Sequence, residues 1–287
     1  MPDTRLAVRK TYKLFIGGAF PRSESGRSYV VSSARGEFLA NAAMASRKDA
    51  RDAVVAARKA FGGWSGATAY NRGQVLYRVA ELMEGRRAEF VSGVRAADGL
   101  SAARAEALVD AAIDRWVWYA GWSDKVAQIA GAVNPVAGPY WDVSQPEPTG
   151  VVAVLAPGDA PLIGLVSVIA PAIVTGNTVV VVASERAPLP AVTLSEVLAT
   201  SDVPGGVVNV LTGRLAEIAP WLASHMDVNA IDLAGAPDAM AVELAVAAAD
   251  NLKRVVRLPD SDWLATPGLD RLVAYLETKT VWHPVGT

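Results

Sequence analysis

The chain has 287 residues, 52% hydrophobic and 20% charged, with a formal net charge of −2. These proportions belong to a globular chain and exclude disordered and fibrous classes, and the near-balanced charge argues against nucleic acid as a partner. There is no cysteine, which excludes disulfides, thiolate–metal sites and a cysteine nucleophile, and a chain that needs no disulfide suits the cytoplasm.

The opening residues Met1–Lys13 are charged and hold no apolar core of signal-peptide length. In Tyr12–Phe20 the pair Gly17-Gly18 signals a turn between two short strands. From there to about Val133 the chain reads as mostly helical. Lys48–Phe61 places Ala53, Val54, Ala57 and Phe61 on one face, and Tyr70–Phe90 and Ala102–Trp122 read the same way. Trp116, Trp118 and Trp122 crowd onto the last of these, a spacing that usually marks core. In the next stretch, Tyr140, Asp142 and Ser144 alternate with Trp141, Val143 and Gln145. That pattern suits a strand with one face covered.

Gly150–Leu258 alternates differently. Apolar, β-branched runs fall at Val151–Leu155, Thr178–Val182, Val207–Leu211, Ala230–Leu233 and Arg254–Leu258. Helical stretches separate them at Leu162–Val174, Pro190–Ala199, Ala216–Ser224 and Asp238–Asn251. Continuous apolar strands alternating with helices predict a doubly wound α/β fold, a parallel sheet covered on both faces. Ligands bind such sheets outside the carboxyl ends of the strands, here Ala156–Asp159, Ala183–Glu185, Thr212–Gly213 and Ala234–Ala236. The most apolar stretch, Val151–Val182, is interrupted by Pro157, Asp159, Pro161, Pro171, Gly176 and Asn177. A membrane span needs roughly 20 predominantly apolar residues in a row, so the expectation is strand, helix, strand and no membrane. The remainder, Pro259–Thr287, reads as one helix, Gly268–Leu276, and an extended tail, Glu277–Gly286, too short to fold alone and suited to add a strand to another element.

Several segments, taken in order, resemble the aldehyde dehydrogenase superfamily. They are Tyr12–Phe20, Ala53–Trp64 (AVVAARKAFGGW), Tyr119–Lys125 (YAGWSDK), Glu147–Pro157 (EPTGVVAVLAP), Ala170–Glu185 (APAIVTGNTVVVVASE), Val203–Gly213 (VPGGVVNVLTG), Asn251–Val255 (NLKRV) and Thr278–Gly286 (TKTVWHPVG). The resemblance implies a Rossmann-like cofactor domain over 1–131 plus 149–258 with its N-terminal helices. It also implies an oligomerisation arm over 132–148 plus 274–287, joined by a remnant linker, 259–273, in place of the catalytic domain. In this it is similar to the cysteine-less second module of two-module aldehyde dehydrogenases.

The same resemblance marks where the chain departs from the family. The family's Pro-Trp-Asn, whose Asn stabilises the oxyanion, reads Pro157, Gly158, Asp159, and a carboxylate there repels a developing oxyanion. Its ribose-binding Lys-Pro-Ser-Glu reads Val182, Ala183, Ser184, Glu185. Leu215 stands where a glycine would let backbone approach phosphate, and the Phe-Thr-Gly-Ser turn reads Leu233, Ala234, Gly235, Ala236. The general-base Glu aligns with Leu258, followed by Pro259 and Asp260. The catalytic expectation is therefore none.

Ser184 and Glu185 fit two readings, a ribose diol held by the carboxylate or an inherited helix N-cap region. Gly213 and Gly235 fit close approach to a cofactor or plain turn glycines. Asp159 fits a new acid or base or a solvated loop carboxylate. His225 and His283 are the only two histidines and, without cysteine, make no transition-metal set. The cofactor expectation is none, with NAD(P) as the alternative. Tyr140, Trp141, Val143, Val281 and Trp282 are the expected interface. The partner is expected to be a second copy, as a homo-oligomer, or a full-length aldehyde dehydrogenase, as a hetero-oligomer.

Overall fold

The structure, a computed structural model, describes residues 9–258 and 262–286. Most of the charged opening segment, together with Pro259 and Asp260, lies outside the described residues. A small sheet comes first, from β1 (Thr11–Tyr12), β2 (Ser28–Ser32) and β3 (Phe38–Ala43), in the order β1-β3-β2. Five helices follow: α1 (Arg47–Ser65), α2 (Ala69–Gly85), α3 (Arg87–Asp98), α4 (Ala102–Trp122) and α5 (Val126–Ala130). Next come β4 (Ala132–Asn134) and β5 (Tyr140–Pro148), then the alternating unit β6 (Val151–Leu155), α6 (Ile163–Val174), β7 (Thr178–Val182), α7 (Leu189–Thr200), β8 (Val208–Leu211), α8 (Leu215–Ser224), β9 (Ala230–Asp232), α9 (Asp238–Ala248) and β10 (Arg254–Val256). The chain ends with α10 (Asp270–Ala274) and β11 (Leu276–Pro284).

The alternating unit is a five-stranded, all-parallel sheet in the order β10-β9-β6-β7-β8, a Rossmann-like α/β fold. Successive side chains of a strand point to opposite faces, and the packing divides accordingly. Val151, Ala153, Leu155, Val180, Val182 and Ile231 pack with α1, α8 and α9. Val152, Val154, Val179, Val181, Val208 and Val210 pack with α2, α4, α6 and α7. The N-terminal helices are tied to this sheet by polar bonds as well as packing. Trp64 Nε1 donates to Ile173 O at 2.8 Å, and Arg72 Nε donates to Val174 O at 2.9 Å. Among the described residues no helix is long and apolar enough to cross a membrane.

Four sequence expectations are corrected. The first region is mostly helical from α1 onward, but before α1, β2 and β3 form an antiparallel pair that the sequence reading did not place. The β2 pattern alternates correctly, with Tyr29 and Val31 buried and Ser28, Val30 and Ser32 exposed, but β3 is Phe-Leu-Ala-Asn-Ala-Ala, poor in strand formers. The Gly17-Gly18 turn forms, with both residues at positive φ, yet only single bridges flank it, Ile16 to Ala19 and Phe15 to Val210. The predicted helix Tyr70–Phe90 is two helices, broken at Arg86, which leaves the helical region (φ −113, ψ 15) and pairs with Glu89 and Glu196. The last helix stops at Ala274, short of Leu276, because Leu276 is already paired with Pro148 as the first residue of β11.

β11 adds to β5 in antiparallel register from Leu276↔Pro148 to Pro284↔Tyr140, giving a three-stranded arm in the order β11-β5-β4. Ser144 Oγ and Thr280 Oγ1 share a hydrogen bond at 2.8 Å across it. The alternation in β5 does not cover one whole face within the chain. Asp142 is buried, with Asn134 Nδ2 donating to it at 3.2 Å, but Tyr140 and Trp141 are both exposed. Trp282 lies opposite Asp142 and meets Tyr140 edge-on at 5.7 Å, while Trp141 lies opposite His283 and projects from the other face.

Residues 262–275, ahead of β11, are folded onto the sheet. Arg271 Nη1 donates to Asp232 Oδ2 at 2.8 Å, and the Tyr275 hydroxyl donates to the same oxygen. The Tyr275 carbonyl accepts from Thr149 N–H and Asn177 Nδ2. Arg115 Nη2 donates to the Trp263 and Ala265 carbonyls at 2.7 and 3.0 Å. Asp232 is wholly buried at the end of β9, and an unpaired carboxylate there would be costly. Replacing Arg271 by Met removes its cationic partner. The expected loss is about 3 kcal/mol, read as a lower urea midpoint, and an unchanged midpoint would show that the pair does not hold this segment.

Candidate functional site

The carboxyl ends of β6, β7, β8 and β9 open onto a cleft of about 440 Å³ lined by Asp159, Ser184, Glu185, Arg186, Leu215 and Gly235. This is where a doubly wound sheet presents its loops to a ligand. Of the residues singled out in the sequence, Asp159, Ser184, Glu185 and Gly235 meet here, and Gly213 does not line the cleft.

Ser184 is buried, and its Oγ accepts from the Ala187 N–H at 3.2 Å and lies 3.5 Å from the Gly158 carbonyl. Both oxygens of Glu185 are engaged. Oε1 accepts from Arg214 Nη1, and Oε2 accepts from the Leu215 N–H at 3.2 Å. Leu215 is the first residue of α8. A helix N-terminus presents free N–H groups that suit an anion, and one of these is already given to a carboxylate of the same chain. The Glu185 carboxylate, bonded to Arg214, holds that guanidinium above its usual range.

Gly235 donates its N–H to Leu155 O at 2.8 Å, and a Cβ built on it would sit 2.1 Å from Ala156 O. Gly213 has φ +146, and its Cβ would lie 3.0 Å from Ala45 N. Each glycine thus has a requirement set by the chain's own backbone. Asp159 is exposed and makes no ion pair or hydrogen bond among the described residues. Arg186 is paired with Asp98 at 2.6 Å, so the described charges lining the cleft leave Asp159 uncompensated. Leu258 lies elsewhere, in a second cavity beside Arg115 and Trp263.

Sequence reasoning missed Tyr29. It is buried on β2, its hydroxyl has no hydrogen-bond partner among the described residues, and the Arg214 guanidinium lies 5.6 Å from its ring centroid. Burial, and then the nearby Glu185 charge, push its ionisation far above the ordinary phenol range, so it stays neutral. The alternation in Ser28–Ser32 was the available signal. The histidines stay apart. The His225 ring meets Trp221 edge-on at 4.5 Å, with its ionisation pulled down by burial, and His283 is exposed on the arm. Among the described residues no group of three or more His, Cys, Asp or Glu could hold a metal.

Replacing Glu185 by Ala removes the acceptor at the start of α8. A capping role predicts a stability loss of about 1 kcal/mol by urea denaturation, and no loss would leave the carboxylate free for a ligand.

The model of the Aldehyde dehydrogenase family matches residues 20–258. The chain is 34% identical over 259 residues to "Aldehyde dehydrogenase, cytosolic 1" of Elephantulus edwardii, covering 88% of this chain and 51% of that protein. It is 36% identical over 249 residues to "Aldehyde dehydrogenase family 2 member B4, mitochondrial" of Arabidopsis thaliana, covering 85% of this chain and 45% of that protein. The crystal structure of PnpE, from Pseudomonas sp. WBC-3, in complex with nicotinamide adenine dinucleotide superposes with a TM-score of 0.79 at 30% identity, over 85% of this chain and 50% of that one. The chain spans about half the length of these curated relatives.

Proposed function

The chain belongs to the aldehyde dehydrogenase family, and on that premise we propose that it is a non-catalytic member that acts by assembly. Its partner is a second copy or a full-length aldehyde dehydrogenase. The observation that carries this reading is that the cleft's own lining is self-bonded: Glu185 accepts from Arg214 and from the Leu215 N–H, groups that a nucleotide would use. The side chain of Leu215 and the lone charge of Asp159 further disfavour a diphosphate. These residues do not fit a dinucleotide.

Aldehyde oxidation by the family's route requires a thiolate, a base and an oxyanion donor. The chain has no cysteine, carries Leu258 at the base position and Asp159 at the oxyanion position. Three separate requirements are unmet, and no step of that reaction is assigned to this chain.

The arm supports the positive half of the reading. Trp141 and Trp282 are 57% and 56% exposed, on opposite faces of a sheet whose outer strands have open edges. Tryptophan is a favoured interface anchor, and an open apolar edge is an aggregation hazard unless covered. Val143 and Val281 lie opposite each other on the Trp141 face and extend the surface.

Light scattering on the eluting protein should give a dimer or larger at about 10 μM, and Trp141→Glu with Trp282→Glu should shift it to monomer with unchanged circular dichroism. A wild-type monomer that also ignores a co-expressed full-length relative would overturn the assembly reading. The alternative is an NAD(P)-binding oxidoreductase with residual or partner-dependent activity. Calorimetry separates the two: the proposal expects no NAD or NADP binding at about 1 mM, and binding tighter than that would favour the alternative.

A further inference from the structure

A second cavity, of about 320 Å³, shares no lining residue with the cleft. Arg115 and Tyr119 of α4 form one wall, Leu258 another, and Trp263, Thr266 and Arg271 of the folded connecting segment close it. The volume is at the lower end for a small-molecule site.

The buried polar side chains that line the cavity, Arg115, Tyr119 and Arg271, are donors, and its two carboxylates, Asp262 and Asp270, are exposed. Arg115 is 7% exposed and has no carboxylate partner among the described residues. Its Nη1 donates to Ser167 Oγ at 2.8 Å, and its Nη2 serves the two carbonyls of Trp263 and Ala265, which leaves one Nη1 hydrogen and the Nε hydrogen without an acceptor. Arg271 uses one Nη1 hydrogen on Asp232 and lays its guanidinium 5.2 Å from the Trp263 ring centroid. Tyr119 is 1% exposed, lines the cavity, and its hydroxyl has no hydrogen-bond partner among the described residues. Burial pushes that phenol up to about 12, so it remains a donor throughout the neutral range. A buried guanidinium without a counter-charge is costly, and a bound anion offsets that cost.

We propose that this cavity binds a small monocarboxylate, its carboxylate held by Arg115 and the Tyr119 hydroxyl and its apolar end against Trp263. A planar carboxylate matches the guanidinium fork. Asp262 and Asp270 at the exposed mouth oppose ligands of higher charge, phosphate included. The site is independent of the assembly reading, since it shares no residue with the arm or the cleft.

The test is calorimetry on the full chain with benzoate, benzamide and inorganic phosphate as probes. Benzoate should bind one to one with a Kd below about 1 mM. Benzamide, of the same shape without the charge, should bind at least about tenfold more weakly. Tyr119→Phe should weaken benzoate about tenfold and leave the ligand-free unfolding temperature unchanged, because the hydroxyl makes no bond within the described chain. The proposal is overturned by no saturable benzoate binding up to about 10 mM, by benzamide or phosphate binding as tightly as benzoate, or by Tyr119→Phe binding benzoate like the wild type.

Discussion

A parallel sheet has two apolar faces, and both must be kept from water. In this chain the constraint is met unevenly along the sheet. Over β6, β7 and β8 the two faces are covered by α1 and α8 on one side and by α6 and α7 on the other, with α4 packed on α6. Toward β9 and β10 the α6 side is closed by α10, only five residues long. So short a helix adds little by propensity alone. It is fixed by Leu272 in the core and by Arg271 and Tyr275 on the buried Asp232. The charge inside the sheet and the segment that covers it therefore require each other.

The cleft follows from the same framework by a different route. Strand ends gather loops at one edge of the sheet whatever the side chains are, so the place for a ligand persists with the fold. What the place can do depends on which groups remain free. Here Glu185 bonds to the start of α8 and to Arg214, Ser184 bonds its own loop, and Gly235 packs against the β6 backbone. The groups that carry the family resemblance are turned inward to hold loops. This is the sense in which a fold does not carry a chemistry without its site.

The legible part of the sequence was the part governed by continuous burial. β6, β7 and α4 have the bounds that the apolar runs and helical spacing gave, because every residue of those two strands is buried and α4 keeps one apolar face over its length. Illegible parts were decided by tertiary partners. The break at Arg86 interrupts an unbroken apolar period, and only Glu196, far along the chain, shows why. The alanine-rich β3 is a strand because β1 and β2 pair with it. Strand-end residues such as Glu185 could be placed at the cleft from the sheet pattern. That both its oxygens are occupied depends on Arg214 and on where α8 begins, which no spacing reveals. Arg115 and Tyr119 read as ordinary helix residues until the connecting segment folds over them.

The measurement that bears most directly on the central claim, a family framework retained for assembly and not for oxidation, is native mass spectrometry of the tagged chain recovered gently from its own cells. The account predicts a discrete complex, either a homo-oligomer or a stoichiometric assembly with a full-length aldehyde dehydrogenase, with no dinucleotide mass on this chain. A free monomer carrying bound NAD or NADP would contradict it.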